Sequence, residues 1–140
     1  VSRIYECICI GVITSGATID APIGRSSANR QRMAVIDGGK PAVTHYRVLE
    51  RFRSHTHVRV KLETGRTHQI RVHMAAIKHP CCGDPLYGCD PALAKELGLE
   101  RQWLHAGELS FTHPGSGEWV TFHADLPADL QNALDVVRQA

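Results

Sequence analysis

The stretch from Arg3 to Ile10 constrains the fold more than any other part of this chain. It alternates with the two-residue period of a strand, with Ile4, Ile8 and Ile10 on one side and Tyr5, Cys7 and Cys9 on the other. Both sides are largely apolar, so the strand has to be buried on both faces or nearly so. Two more strands are expected over Val43–Phe52 and His57–Glu63. In the second, Val58, Val60 and Leu62 point inward and His57, Arg59, Lys61 and Glu63 outward.

After Thr64-Gly65 the period changes. Ile70, Met74 and Ile77 fall at i, i+4 and i+7, which predicts a short helix from about Thr67 to Ile77, closed by His79-Pro80. A one-to-two-turn helix is expected over Ala92–Leu97, ended by Gly98. Strands over Leu104–Phe111 and Glu118–Phe122 flank the turn His113–Gly117. Pro127 opens a last helix striped by Leu130, Leu134 and Val137. This order predicts an α+β fold: a mixed, mostly antiparallel β-sheet with short flanking helices. At 140 residues it fits one domain.

Charge is unevenly divided. Residues 1–79 hold 13 Lys/Arg against 5 Asp/Glu, and residues 80–140 hold 3 against 9, so a +8 portion precedes a −6 portion. Twelve of the 16 basic residues are Arg, whose planar fork suits bidentate phosphate contacts. An anionic partner, nucleic acid first, is the expectation, with a merely solvated basic face as the alternative. The segment Arg25–Arg32 has no hydrophobic period and is expected to be an exposed basic loop.

No apolar run approaches the roughly 18 residues of a membrane span, and a cytoplasmic protein is expected. The five Cys fit small buried hydrophobes better than a disulfide framework or a zinc site. His55-Thr56-His57 sets two imidazoles on one strand face, but no third ligand is in register, so no metal is expected.

The most informative stretch is Lys61 to His73. There a Gly turn delivers Arg66, Thr67, His68, Gln69 and Arg71 into a strand-to-helix junction, a corner suited to an anion or a sugar-phosphate backbone. Gly65-Arg-Thr-His-Gln-Ile-Arg-Val-His73 resembles the signature of RluA-type pseudouridine synthases. The resemblance continues through Arg3-Ile-Tyr-Glu6, Gly39–Tyr46, His79-Pro80, Gly83–Gly88, Leu104–Ala106 and His113–Gly117. It covers essentially the whole chain.

The resemblance implies the fold of that family and the isomerisation of uridine to pseudouridine, with RNA, large-subunit ribosomal RNA above all, as partner and no cofactor. It assigns catalytic roles to Arg71, which would pair with the catalytic Asp of a His-Arg-Leu-Asp block, and to Tyr5, which would lie beside the flipped base. RNA binding is expected at Arg66, His68, Gln69, Arg25, Arg30, Arg32 and Lys40. The His-Arg-Leu-Asp block is absent from these 140 residues. Asp84, in a Gly-Asp-Pro context, fits a turn-forming role. The chain, which starts at Val1, is therefore expected to be the C-terminal portion (1–140) of one catalytic domain and inactive alone. The alternatives are a non-catalytic RNA-binding module and, more remotely, a zinc protein. Oligomeric state is left open.

Overall fold

In the computed structural model, which describes residues 1–140, the doubly apolar segment forms β1 (Ser2–Ile10). Its neighbours are β6 (His55–Leu62) and β7 (Leu104–Thr112), both antiparallel to it. β5 (Val43–Arg51) and then β2 (Ala17–Asp20) extend the sheet beyond β6, and β8 (Trp119–His123) extends it beyond β7. Every pairing in this six-stranded sheet is antiparallel. A separate hairpin of β3 (Ile23–Arg25) and β4 (Met33–Val35) carries the basic 26–32 loop at its tip. The helices are α1 (Gln69–Ala76), α2 (Pro91–Glu96) and α3 (Ala128–Gln139). None is long and apolar enough to cross a membrane.

The two faces of β1 explain the layers. Cys7 and Cys9 pack with Val58 and Val60 of β6 against Ile70 and Met74 of α1. Ile8 points the other way, into a cluster with Trp103, Leu130, Ala133, Leu134 and Val137, so α3 covers that side with its expected stripe. Each fully buried side chain of this size contributes about 1.5–3 kcal/mol. The Trp103 indole N–H donates to the Leu130 carbonyl at 2.8 Å, so the largest core side chain leaves no polar atom unmet.

His57 departs from the sequence expectation. It lies opposite Ile8 at the end of the sheet that α3 covers and is only 7% exposed, its ring edge-on to Trp103 at 5.4 Å. Strand alternation gives the face a residue occupies but not whether a distant helix lies over it. His57 Nε2 sits 2.9 Å from Glu6 Oε1 without the geometry of a straight hydrogen bond, and the imidazole holds the Glu6 carboxyl below its ordinary range. His55 is also buried, with Nε2 unpartnered, and burial lowers its pKa. No three or more His, Cys, Asp or Glu side chains converge on a common metal position.

His73 ties α1 to the sheet. Fully buried, it donates Nε2–H to the Ala21 carbonyl at 2.9 Å and accepts at Nδ1 from Thr44 Oγ1 at 2.7 Å. Burial lowers its pKa and favours the neutral ring that this pattern needs. His55 and His73 thus bind protons more weakly when folded, so the unfolded chain takes up more protons as the pH falls. Their stabilisation is fully present above the unfolded His pKa of about 6.5 and is lost on acidification below it. The denaturant midpoint is therefore expected to be flat from about pH 7 to 8 and to fall progressively below about 6.5. His73→Gln is expected to cost about 1–2 kcal/mol near pH 7.5 and to flatten that acid limb. An acid limb unchanged by this variant would remove His73 from the account.

Candidate active site

The junction between β6 and α1 is built around Gln69. Its Oε1 accepts from Thr64 Oγ1 at 2.7 Å and from the Arg66 N–H at 3.0 Å. Its Nε2 donates to the Val43 carbonyl at 3.0 Å and to Thr44 Oγ1 at 2.9 Å. Gln69 is 3% exposed and its polar atoms are all engaged within the protein. It folds the corner and has no free group for the RNA contact expected of it. The sequence marks the residue as polar in a ligand-facing motif; only the four partners show that it is spent.

His68, one step earlier, takes the left-handed conformation (φ 56°) as the N-cap of α1. Its Nδ1 lies 2.8 Å from the Tyr87 hydroxyl, which also accepts the Met33 N–H at 2.8 Å. The hydroxyl accepts from Met33 and donates its own proton to Nδ1 when His68 carries its proton on Nε2. Burial, followed by the nearby Arg71 charge, lowers the His68 pKa and favours this neutral form.

Arg71, two residues into the helix, makes a bidentate pair with Asp84. Nε donates to Oδ2 and Nη2 to Oδ1, each at 2.8 Å. The Asp84 side chain is fully buried and that of Arg71 is 12% exposed. The hydrogen bonds it donates to Asp84 raise the Arg71 pKa, and the guanidinium carbon lies 5.0 Å from the centre of the Tyr87 ring. Asp84 Oδ1 also accepts the N–H groups of Leu86 at 2.9 Å and Tyr87 at 3.3 Å, which is the turn-forming role expected of it. Its second role, orienting Arg71, was not apparent from the Gly-Asp-Pro context.

Tyr5 and Arg71 come from β1 and α1 and line one cavity of about 280 Å³, together with Arg3, Leu62, Arg66 and His68. Tyr5 reaches it because it shares the face of Cys7 and Cys9, against which α1 packs. A second cleft of about 510 Å³ adjoins it through Gly65 and Arg66 and is lined by Arg25, Lys40 and Thr67. Arg66 is braced there by donating Nε–H to the Pro41 carbonyl at 2.8 Å. Arg25 donates to the Arg30 carbonyl at 2.9 Å, while the Arg30 and Arg32 side chains are exposed around the hairpin tip, outside both cavities. A further cavity of about 540 Å³, among Arg47, Arg59, Lys61 and Trp119, opens on the opposite face of the sheet.

A family model described as RNA pseudouridylate synthase matches residues 1–76. The ribosomal large subunit pseudouridine synthase D of Pseudomonas aeruginosa is 57% identical over 148 aligned positions, which take in 99% of this chain and 46% of the relative. The protein of the same name from Escherichia coli is 48% identical over 99% of this chain and 45% of its own length. The chain thus spans somewhat less than half the length of these curated relatives. Among solved structures, human RNA Pseudouridylate Synthase Domain Containing 1 superposes with a TM-score of 0.76 at 32% identity, over 90% of this chain and 55% of that one.

Breaking the Arg71–Asp84 pair from either side strands a charge with little access to water. Asp84→Asn is expected to lower stability by about 3 kcal/mol in denaturant unfolding. The double variant Arg71→Met/Asp84→Leu is expected to lose less than the sum of its single changes. Additive losses would mean that the two groups are not energetically coupled.

Proposed function

The chain belongs to the RNA pseudouridylate synthase family, and on that premise we propose that it forms one wall of an active site that isomerises uridine to pseudouridine in large-subunit ribosomal RNA. The observation that carries this reading is the convergence of Tyr5 and Arg71 on one cavity rimmed by Arg3 and Arg66. A uridine has to leave the RNA stack to be reached. The Tyr5 ring then offers the freed base a stacking surface and its hydroxyl a proton partner. In the reaction the bond from the ribose carbon to the base nitrogen breaks, the base turns, a bond to the base carbon forms, and that carbon loses a proton while the freed nitrogen gains one. Atoms and electrons balance within the nucleotide, so the proposal includes no cofactor.

Arg71 is suited to hold a second carboxylate. Its Nε and Nη2 are fixed by Asp84, which leaves Nη1 as the nitrogen not engaged by that pair. The catalytic carboxylate, absent from these 140 residues, is proposed to come from another part of the protein and to face this third nitrogen. The opposite charge of the guanidinium beside it would keep it ionised. The adjoining cleft with Arg25, Lys40 and Arg66, and the exposed Arg30 and Arg32 at the hairpin tip, are assigned to the RNA backbone.

In the full-length protein, Arg71→Lys is expected to lower pseudouridine formation about 100-fold or more, with a far smaller effect on RNA affinity, because a point charge cannot make the forked contact. Near-normal turnover would remove Arg71 from the chemistry. Tyr5→Ala is expected to lose about 1–3 kcal/mol of base stacking, and Tyr5→Phe isolates the hydroxyl. Log affinity for RNA is expected to fall linearly with log salt, by about 0.7 per phosphate contact on single strands. Removing Arg30 and Arg32 together should flatten that slope by about one to two contacts' worth and weaken all RNAs alike. An unchanged slope would make the hairpin tip a solvated charge run.

A further inference from the structure

We propose that Tyr87 is a positioning residue that ties the basic β3–β4 hairpin to the residues of the active-site helix, so that RNA held by the hairpin is held in register with Arg71. The inference rests on the reading of the cavity as an RNA-modifying site. Tyr87 lies outside the signature segment and does not line the cavity that Tyr5 and Arg71 share. Three bodies nevertheless meet on it. Its hydroxyl accepts the backbone N–H of Met33 on β4 and lies within hydrogen-bond distance of His68 Nδ1 at the start of α1. Its ring is edge-on to the His68 imidazole, with centroids 5.6 Å apart, and sits beneath the Arg71 guanidinium. Its own N–H is gathered by Asp84, the carboxylate that fixes Arg71.

Packing alone does not account for this arrangement. A Phe would fill the same space, keep the ring under Arg71 and keep the packing of hairpin residues Ile23 and Met33 with Val72 of α1, but it would lose the hydroxyl that takes the Met33 N–H on the hairpin and engages His68 at the helix start. β3 and β4 are three residues each and stand apart from the main sheet. Such a short hairpin has little stability of its own and depends on its tethers. The Tyr87 hydroxyl supplies one from Met33, which pairs with Arg25 across the hairpin. His68 is held in a left-handed conformation that costs energy for a non-glycine residue and persists only where its surroundings fix it. The same hydroxyl engages that ring, so it sets both the hairpin's approach and the orientation of His68.

The two parts of the side chain therefore have separable consequences. Tyr87→Phe, measured in the full-length protein, is expected to raise KM for the RNA substrate roughly five- to tenfold, the equivalent of one or two lost hydrogen bonds, while leaving kcat within about twofold. Tyr87→Leu, which also removes the ring beneath Arg71, is expected to lower kcat by a further factor of about ten. Hydrogen exchange gives a readout that needs no turnover. Tyr87→Phe is expected to speed exchange of the Met33 amide and its hairpin neighbours, residues 24–34, about tenfold, with α3 amides unchanged. Acceleration spread evenly over the chain would mean a merely structural role and overturn the proposal, as would an unchanged Met33 amide or an unchanged KM. Failure of the underlying functional reading would look different. The unsubstituted protein would form no pseudouridine, while the exchange experiment would still decide whether Tyr87 ties hairpin to helix.

Discussion

A carboxylate with no access to water must be paired, and much of the candidate site is arranged around satisfying one. Asp84 is fully buried, and its two oxygens take two hydrogen bonds from Arg71 and two from the backbone of its own loop. The same atoms that fold residues 83–88 therefore aim the guanidinium. The loop can take this shape because Gly83 adopts a positive φ of 78° with the Arg101 backbone packed where a side chain would begin. Neither half of the arrangement is independent: a looser turn would release the Arg, and a missing Arg would leave a buried charge.

The location of the site follows from the two-residue period of β1. Odd-numbered residues face α1 and even-numbered residues face α3, so Tyr5 is delivered to the α1 side together with the buried Cys7 and Cys9. One strand thus contributes to both hydrophobic clusters and to the cavity. A one-residue slip in its pairing would exchange the faces and remove Tyr5 from Arg71 altogether.

The elements with a repeating pattern were legible in the sequence. β1, β6, α1 and α3 carry several turns or rungs of apolar residues, and each forms within a residue or two of its expected limits. The α+β class and the antiparallel sheet follow from their order. What depends on distant partners was not legible. His57 alternates outward like Arg59, yet Trp103, more than forty residues later, packs edge-on to His57, which is buried while Arg59 is not. Gln69 looks like a ligand-facing amide until Thr44 and Thr64 are placed beside it. β3 and β4 are too short to show any period, and the sequence showed only the aperiodic basic segment Arg25–Arg32 that joins them. Asp84 was legible only as a turn residue because its partner on α1, Arg71, is more than ten positions away in sequence.

The five cysteines add something beyond packing. All are buried and unbridged, with Cys7 and Cys81 in Sγ–Sγ contact at 3.2 Å. Burial pushes the Cys9 thiol up to about 12 and Cys82 higher still, so these two thiols carry almost no thiolate at neutral pH. An alkylating reagent in water has no access to these buried thiols, and at Cys9 no nucleophile either, until the sheet opens. Because Cys7 and Cys9 lie on β1, which both hydrophobic layers clasp, their labelling is a clock for the opening of the whole sandwich rather than for loop motion. The protein thereby carries its own reporter of how often its central strand is exposed.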